Sequence, residues 1–164
     1  MSVDTVEKLF VDELKDIYSA ENQITKALPK MAKAATSSEL KTAFEKHLKE
    51  TEGQIKRLDR VFEILEKASG GKTCKGMKGL LEEGSEVMEE TEGEIRDAAM
   101  ISAAQRVEHY EIAAYGSVRT YAELLGQKEI ATLLQQTLDE EGETDKKLTQ
   151  IAGKVNKQAQ RHAA

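Results

Sequence analysis

QRVEHYEIAAY, residues 105–115, is the stretch that decides the fold. It holds neither Gly nor Pro and reads as the middle of a helix. Ala104, Val107, Glu108, Glu111, Tyr115, Val118 and Ala122 recur at steps of three and four, so they share one face. That face is apolar except for its two carboxylates, Glu108 and Glu111. An ionised carboxylate alone in a core costs many kcal/mol unless it takes up a proton. A metal ion, a paired base or a hydrogen-bond partner has to compensate. The functional question is which of these it is.

Composition narrows the setting. A chain of 164 residues suits one domain with a real core, residues 1–164. Charged residues make up 33%, aromatics 4%, and there is one proline, a balance that favours long amphipathic helices over an all-β fold. The net charge of −6 argues against nucleic acid and suits cations. A single cysteine, Cys74, allows no intrachain disulfide and no cysteine-based zinc site, and it sits in a Lys- and Gly-rich linker as an incidental residue. Residues 1–7 lack the basic-then-apolar pattern of a signal peptide. No apolar run approaches the ~18 residues of a membrane span. The expectation is a cytoplasmic protein with no membrane partner.

Four long helices are predicted. The first opens at Asp4, with Glu7 three residues on as an approximate capping box, and buries Val6, Phe10, Leu14, Ile17, Glu21, Ile24 and Leu28. Pro29 should kink or end it near Leu28, although residues 30–35 could continue it. A turn at Thr36-Ser37-Ser38 supplies a serine N-cap for a second helix over residues 39–68, ended by Ser69-Gly70-Gly71. Its stripe is Phe44, Leu48, Thr51, Ile55, Leu58, Phe62 and Leu65, flanked by His47, Glu50 and Gln54. A short acidic helix, residues 77–90, serves as a crossover. The third long helix opens on a capping box at Thr91-Glu92-Gly93-Glu94 and runs to Leu125, with Gly126 as its stop. The fourth covers residues 127–152, with Leu134, Leu138, Glu141, Asp145, Leu148 and Ala152 inward; residues 154–162 form a short terminal helix or fray.

The two halves repeat. An offset of 90 residues carries Glu21 onto Glu111. The same offset carries Phe44 onto Leu134, Leu48 onto Leu138, Glu50 onto Glu140, Leu58 onto Leu148, Thr51 onto Glu141 and Gln54 onto Thr144. Heptad-like spacing alone would align the leucines but not both glutamate pairs. Two helical hairpins, residues 4–68 and 91–152, joined by a crossover at 69–90, make an all-α antiparallel four-helix bundle.

In that bundle Glu21, Glu108, Glu111, Glu141 and Asp145 project toward the axis. Like charges so close cannot all ionise without a cation. Two iron or manganese ions would resolve the conflict and leave room for dioxygen or peroxide. His47, Glu50 and Gln54 could add ligands or outer hydrogen bonds. Each residue also has a plainer reading. Glu21 could sit at a bundle end or reach out to water, and His47 could be a boundary histidine. Asp145 and Glu141 lie on a helix charged almost all round. Tyr18 and Tyr115 could be core residues or donors to the carboxylates. His109 points away from Glu111 and reads as surface.

These residues carry a resemblance across the chain. Tyr18-Ser19-Ala20-Glu21, His47-Leu48-Lys49-Glu50-Thr51 with Gln54, the string from Val107 to Tyr115, and Thr137-Leu138-Asp139-Glu140-Glu141 with Thr144-Asp145 resemble the YciE/YciF-type stress proteins of the ferritin-like superfamily. The resemblance implies a rubrerythrin-like bundle, bacterial, linked to stress, with a di-metal site and no firmly assigned reaction. The wider superfamily places a Glu on each of two helices and Glu-x-x-His on the other two. No Glu-x-x-His occurs in this sequence: the repeat puts Thr51/Gln54 and Glu141/Thr144 there. Glu21 and Glu111 carry over. His47 and Glu50, one turn earlier, are the substitute candidates. Two functions stay open. One is a di-iron or di-manganese oxidoreductase, peroxidase- or ferroxidase-like, or a metal buffer. The other is a non-catalytic scaffold that has lost its centre. A homodimer is expected in either case.

Overall fold

A computed structural model of the chain describes residues 2–162 and, for His162, its backbone alone. Five helices follow one another: α1 (Val6–Ala34), α2 (Ser38–Leu65), α3 (Lys75–Glu90), α4 (Gly93–Leu124) and α5 (Lys128–His162). Among the described residues there is no strand.

α1 packs on α2 and α4, and α5 packs on α4 and α2, so the four long helices close a ring. Cross-links fix their directions. Glu39 near the start of α2 meets Lys147 and Lys154 of α5, whereas Arg60 farther along meets Glu129. Thr36 after α1 meets Asp97 at the start of α4, and Phe10 shares a cluster with Ala122 near its end. Every neighbouring pair is therefore antiparallel. α2 ends at the opposite end of the bundle from the start of α4, so the connection must travel its length. α3 covers about half of that distance, about 24 Å at 1.5 Å per residue, lying against α4 and α1. This is the ferritin-like arrangement of two hairpins and a long crossover.

The core divides into two apolar layers. One holds Ile24, Leu28, Leu40, Phe44, Met100, Ile101, Leu148 and Ile151. The other holds Phe10, Leu14, Ile17, Leu58, Phe62, Val118, Ile130 and Leu134. Between them lies a buried polar belt: Glu21, His47, Thr51, Gln54, Glu108, Glu111, Thr137 and Glu141.

Several boundaries depart from the sequence reading. The first cap is Thr5, whose hydroxyl accepts from Lys8 N–H; Asp4 instead pairs with the Lys8 ammonium at 2.7 Å. Val6 is exposed. Pro29 neither ends nor interrupts α1. It is exposed, so water can satisfy the Thr25 carbonyl that the missing N–H leaves free. α2 stops three residues early, because Glu66 turns left-handed at φ 53° while its N–H caps Glu63 and Phe62 carbonyls. The predicted box at Thr91 does not form; Thr91 closes α3 and donates to the Val87 carbonyl. Gly126 does terminate α4, at φ +70°, a conformation that suits glycine. α5 runs through Gly153 to His162, held there by buried Val155 and Ala159.

Candidate metal centre

The polar belt is built at mid-bundle from all four long helices: Glu21 from α1, His47 from α2, Glu108 and Glu111 from α4, and Glu141 from α5. Helical spacing explains the convergence. Glu108 and Glu111 are one turn apart, so both carboxylates emerge on the inner face. All seven inner-face residues of α4 identified from the sequence are buried.

His47, Glu108, Glu111 and Glu141 each present one donor atom within 4.8 Å of one another, and all four side chains are buried. Glu21 stands beside them, against Glu111. Its Oε1 takes the Tyr115 hydroxyl at 2.5 Å, and its Oε2 has no partner. Both oxygens of Glu111, both of Glu141 and Oε2 of Glu108 also lack hydrogen-bond partners. Five acidic and basic groups are thus buried together with donors and acceptors left over. A set of carboxylate oxygens with one imidazole nitrogen could hold a metal ion.

The charges follow. Burial raises Glu21 to about 7, against the pull of the Tyr115 hydroxyl and His47. Glu111 is pushed well above the carboxylate range, first by burial and then by Glu21, Glu141 and Glu108. Glu141 rises by burial and by Glu108. Burial disfavours the charged imidazole of His47, but Glu108 outweighs it and keeps the ring protonated. Burial likewise opposes ionisation of Glu108, yet His47 holds it below its usual value. Without a cation, the His47–Glu108 pair favours its charged form, while burial holds the carboxyls of Glu21, Glu111 and Glu141 above their ordinary range.

The remaining candidates lie at the margins. Glu50 is half-buried, 3.7 Å from His47 Nδ1 and 3.1 Å from Lys46. Gln54 is buried but donates to Glu140, which Arg57 also grips from across the α2–α5 seam. Its Oε1 is unpartnered. Asp145 turns away from the axis toward Gln105 and exposed His109, and joins no cluster with the other carboxylates. Tyr18 packs edge-on against Phe62.

Three buried features went unread. Asp97 accepts the N–H groups of Thr36 and Ser37 at 2.8 and 2.7 Å. It lies seven residues before Ala104, so extending the α4 stripe by one heptad would have found it. Cys74 is not incidental: it is fully buried, caps α3, and its sulfur lies 3.0 Å from the Tyr110 hydroxyl, which donates to Asp16. Gly76 permits this, since a Cβ there would stand 2.7 Å from the Tyr110 ring. Thr51 fills its core position by donating to the His47 carbonyl, so no carboxylate is needed there.

A ferritin-like four-helix bundle with a histidine–carboxylate cluster on its axis is the class of protein that this fold and site define. The chain belongs to the family described as Domain of unknown function (DUF892), which matches residues 5–161. It is 50% identical over 166 residues to Protein YciF of Escherichia coli (strain K12), across 99% of this chain and 100% of that one. The crystal structure of the E. coli stress protein YciF matches with a TM-score of 0.91 at 49% identity, covering 94% of this chain and 99% of that chain. YcfI from Rhodopseudomonas palustris matches at 0.88 and 44%, covering 90% and 95%. A protein from Xanthomonas campestris pv. campestris, at 24% identity and a TM-score of 0.76, shares the fold. The resemblance to YciE/YciF-type stress proteins holds. Among the described residues, no helix is long and apolar enough to cross a membrane.

Proposed function

We propose that the chain is a bacterial stress-response protein whose bundle core holds two iron or manganese ions, and which consumes peroxide or dioxygen or buffers the metal. The observation that carries this reading is the set of buried, unpartnered donors on Glu21, Glu108, Glu111 and Glu141 around His47. Removing carboxylates from water without partners is costly, and a cation answers all of them at once.

Glu21, His47, Glu108, Glu111 and Glu141 would hold the ions. When bound, such ions supply redox equivalents and polarise an oxygen species. The protein's own part is positional. Glu111 interacts with Glu21, Glu108 and Glu141 and would hold an ion together with them. Tyr115 orients Glu21. Thr144 and Glu50 flank His47 Nδ1, which keeps Nε2 facing inward.

Metal analysis of protein purified without chelator, followed by anaerobic titration with Fe(II) and Mn(II), tests the proposal. Binding no tighter than that of surface carboxylates would refute it. Cytoplasmic location and a homodimer belong to the same proposal, the latter checked by sedimentation.

One observation favours a second reading, a non-catalytic scaffold or stress adaptor. At the positions of the superfamily's helix-B Glu-x-x-His, Thr51 bonds its own helix and Gln54 is engaged by Glu140. This reading requires that EDTA leave stability unchanged.

A further inference from the structure

A cavity of about 600 Å³ opens at the seam between α2 and α5 and runs inward to the polar belt. Its walls are apolar, formed by Leu28, Phe44, Val107 and Leu148. Its inner end is polar: His47 and Glu108 line it, and His47 Nε2 and Glu108 Oε2 are buried there without hydrogen-bond partners. Protein cores are close-packed, and voids larger than a water are few. This one has room for roughly twenty waters at ~30 Å³ each. Its size falls within the ~300–1,000 Å³ of small-molecule sites.

We propose that this cavity binds a straight-chain aliphatic molecule ending in a neutral hydroxyl or carbonyl. The chain lies among Leu28, Phe44, Val107 and Leu148, and the oxygen meets His47 and Glu108. The charges select a neutral head. At the mouth, Lys147 is paired with Glu39 at 3.1 Å, Lys46 with Glu50 at 3.1 Å, and Lys146 with Glu143 at 2.7 Å. Every lysine of the rim therefore has its anion already, and an incoming carboxylate would find no free cation. At the inner end it would face the carboxylate of Glu108. A hydroxyl can instead meet both of the unpartnered atoms there, His47 Nε2 and Glu108 Oε2. Binding rests on the chain's own walls and polar atoms, so it goes beyond the metal reading and survives that reading's failure.

The test is isothermal titration of the full-length protein with 1-octanol and with octanoate, as purified and again after EDTA, together with imidazole NMR of His47. Saturable 1:1 binding of octanol is expected after EDTA, and no tighter binding as purified, since a bound ion would occupy His47 and Glu108; octanoate should bind at least tenfold more weakly, and octanol should shift the His47 ring signals. Ala104→Leu and Ala27→Phe narrow the cavity from two different helices. Whichever of them keeps the wild-type helical signal should bind octanol at least tenfold more weakly. Absence of saturable octanol binding after EDTA, octanoate binding as tightly as octanol, unmoved His47 signals, or undiminished binding by a folded cavity variant would each overturn the assignment.

Discussion

His47 Nε2 stands 2.9 Å from Glu108 Oε1 without meeting hydrogen-bond geometry toward it. Two ligands at right angles, each ~2.1 Å from one ion, would be ~3 Å apart. The two atoms are within ion-pair distance, and together with Glu111 and Glu141 they could instead hold an ion. An ion bound only to the native state stabilises it by mass action, by about 2.7 kcal/mol at a hundredfold excess over Kd. Chelation should accordingly lower Tm by about 5–10 °C for a chain of this size, measured by calorimetry before and after EDTA and after Mn(II) is restored.

Tyr115→Phe should weaken the metal-free protein by about 1–3 kcal/mol, because the hydroxyl is the donor that Glu21 Oε1 uses and both side chains are buried. It should also raise the Glu21 carboxyl above about 7, since that hydroxyl favours the ionised form. Urea unfolding with EDTA present reads the first effect. Carbonyl-labelled NMR titration of Glu21 reads the second.

Asp97→Ala is predicted to cost about 1.5–3 kcal/mol, the range for hydrogen bonds to a charged acceptor. It strands the N–H groups of Thr36 and Ser37 at the head of α2. The site is far along the bundle from the carboxylate belt, so Fe(II) and Mn(II) stoichiometry should be unchanged. Urea unfolding and metal titration of the same preparation check both halves.

The architecture was legible because helical periodicity and the 90-residue offset are carried by many residues at once, so single errors do not matter. The inward carboxylates were legible for a related reason: a charged residue on an apolar stripe stands out, as Glu21, Glu108 and Glu111 do. Boundaries were less so. The Asp4–Glu7 and Thr91–Glu94 boxes are each one of several ways to satisfy the same few backbone groups, and Thr5 and Thr91 took others. Asp145 was misplaced because α5 is charged on most faces near residue 140. The Cys74–Tyr110–Asp16 contact joins three helical segments distant in sequence, which periodicity within one helix cannot reveal.

Cys74 carries a pH dependence. Burial first, and Asp16 second, raise its thiol above the ordinary 9.0. A thiol whose folded value is raised keeps its proton where the unfolded chain gives it up. Stability is therefore intact below about pH 9 and falls as pH rises from there toward the folded value. Cys74→Ala removes this contribution. Between pH 8 and 10 the wild type should lose more stability than the variant, in urea unfolding with a reductant present. Parallel losses would show that the thiol does not titrate differently on folding.

Glu111 gives the sharpest test of the centre. It faces Glu21, Glu108 and Glu141, both its oxygens are unpartnered, and no Lys or Arg is bonded to it among the described residues. Glu111→Gln keeps the volume and removes the charge. Metal stoichiometry should fall, and any Fe(II)-dependent peroxide consumption with it. The metal-free protein should instead become more stable by about 1 kcal/mol or more, since each pKa unit of strain relieved is worth ~1.4 kcal/mol. That gain corresponds to a rise in Tm of roughly 2–4 °C. Opposite signs in the two measurements separate a metal ligand from a buried ion-pair partner. Loss of an ion-pair partner would strand a cation and destabilise the metal-free form by about 3–5 kcal/mol. Intact metal binding in the variant, or a loss of that size, would make Glu111 structural and remove the residue that links Glu21 to the other three ligands.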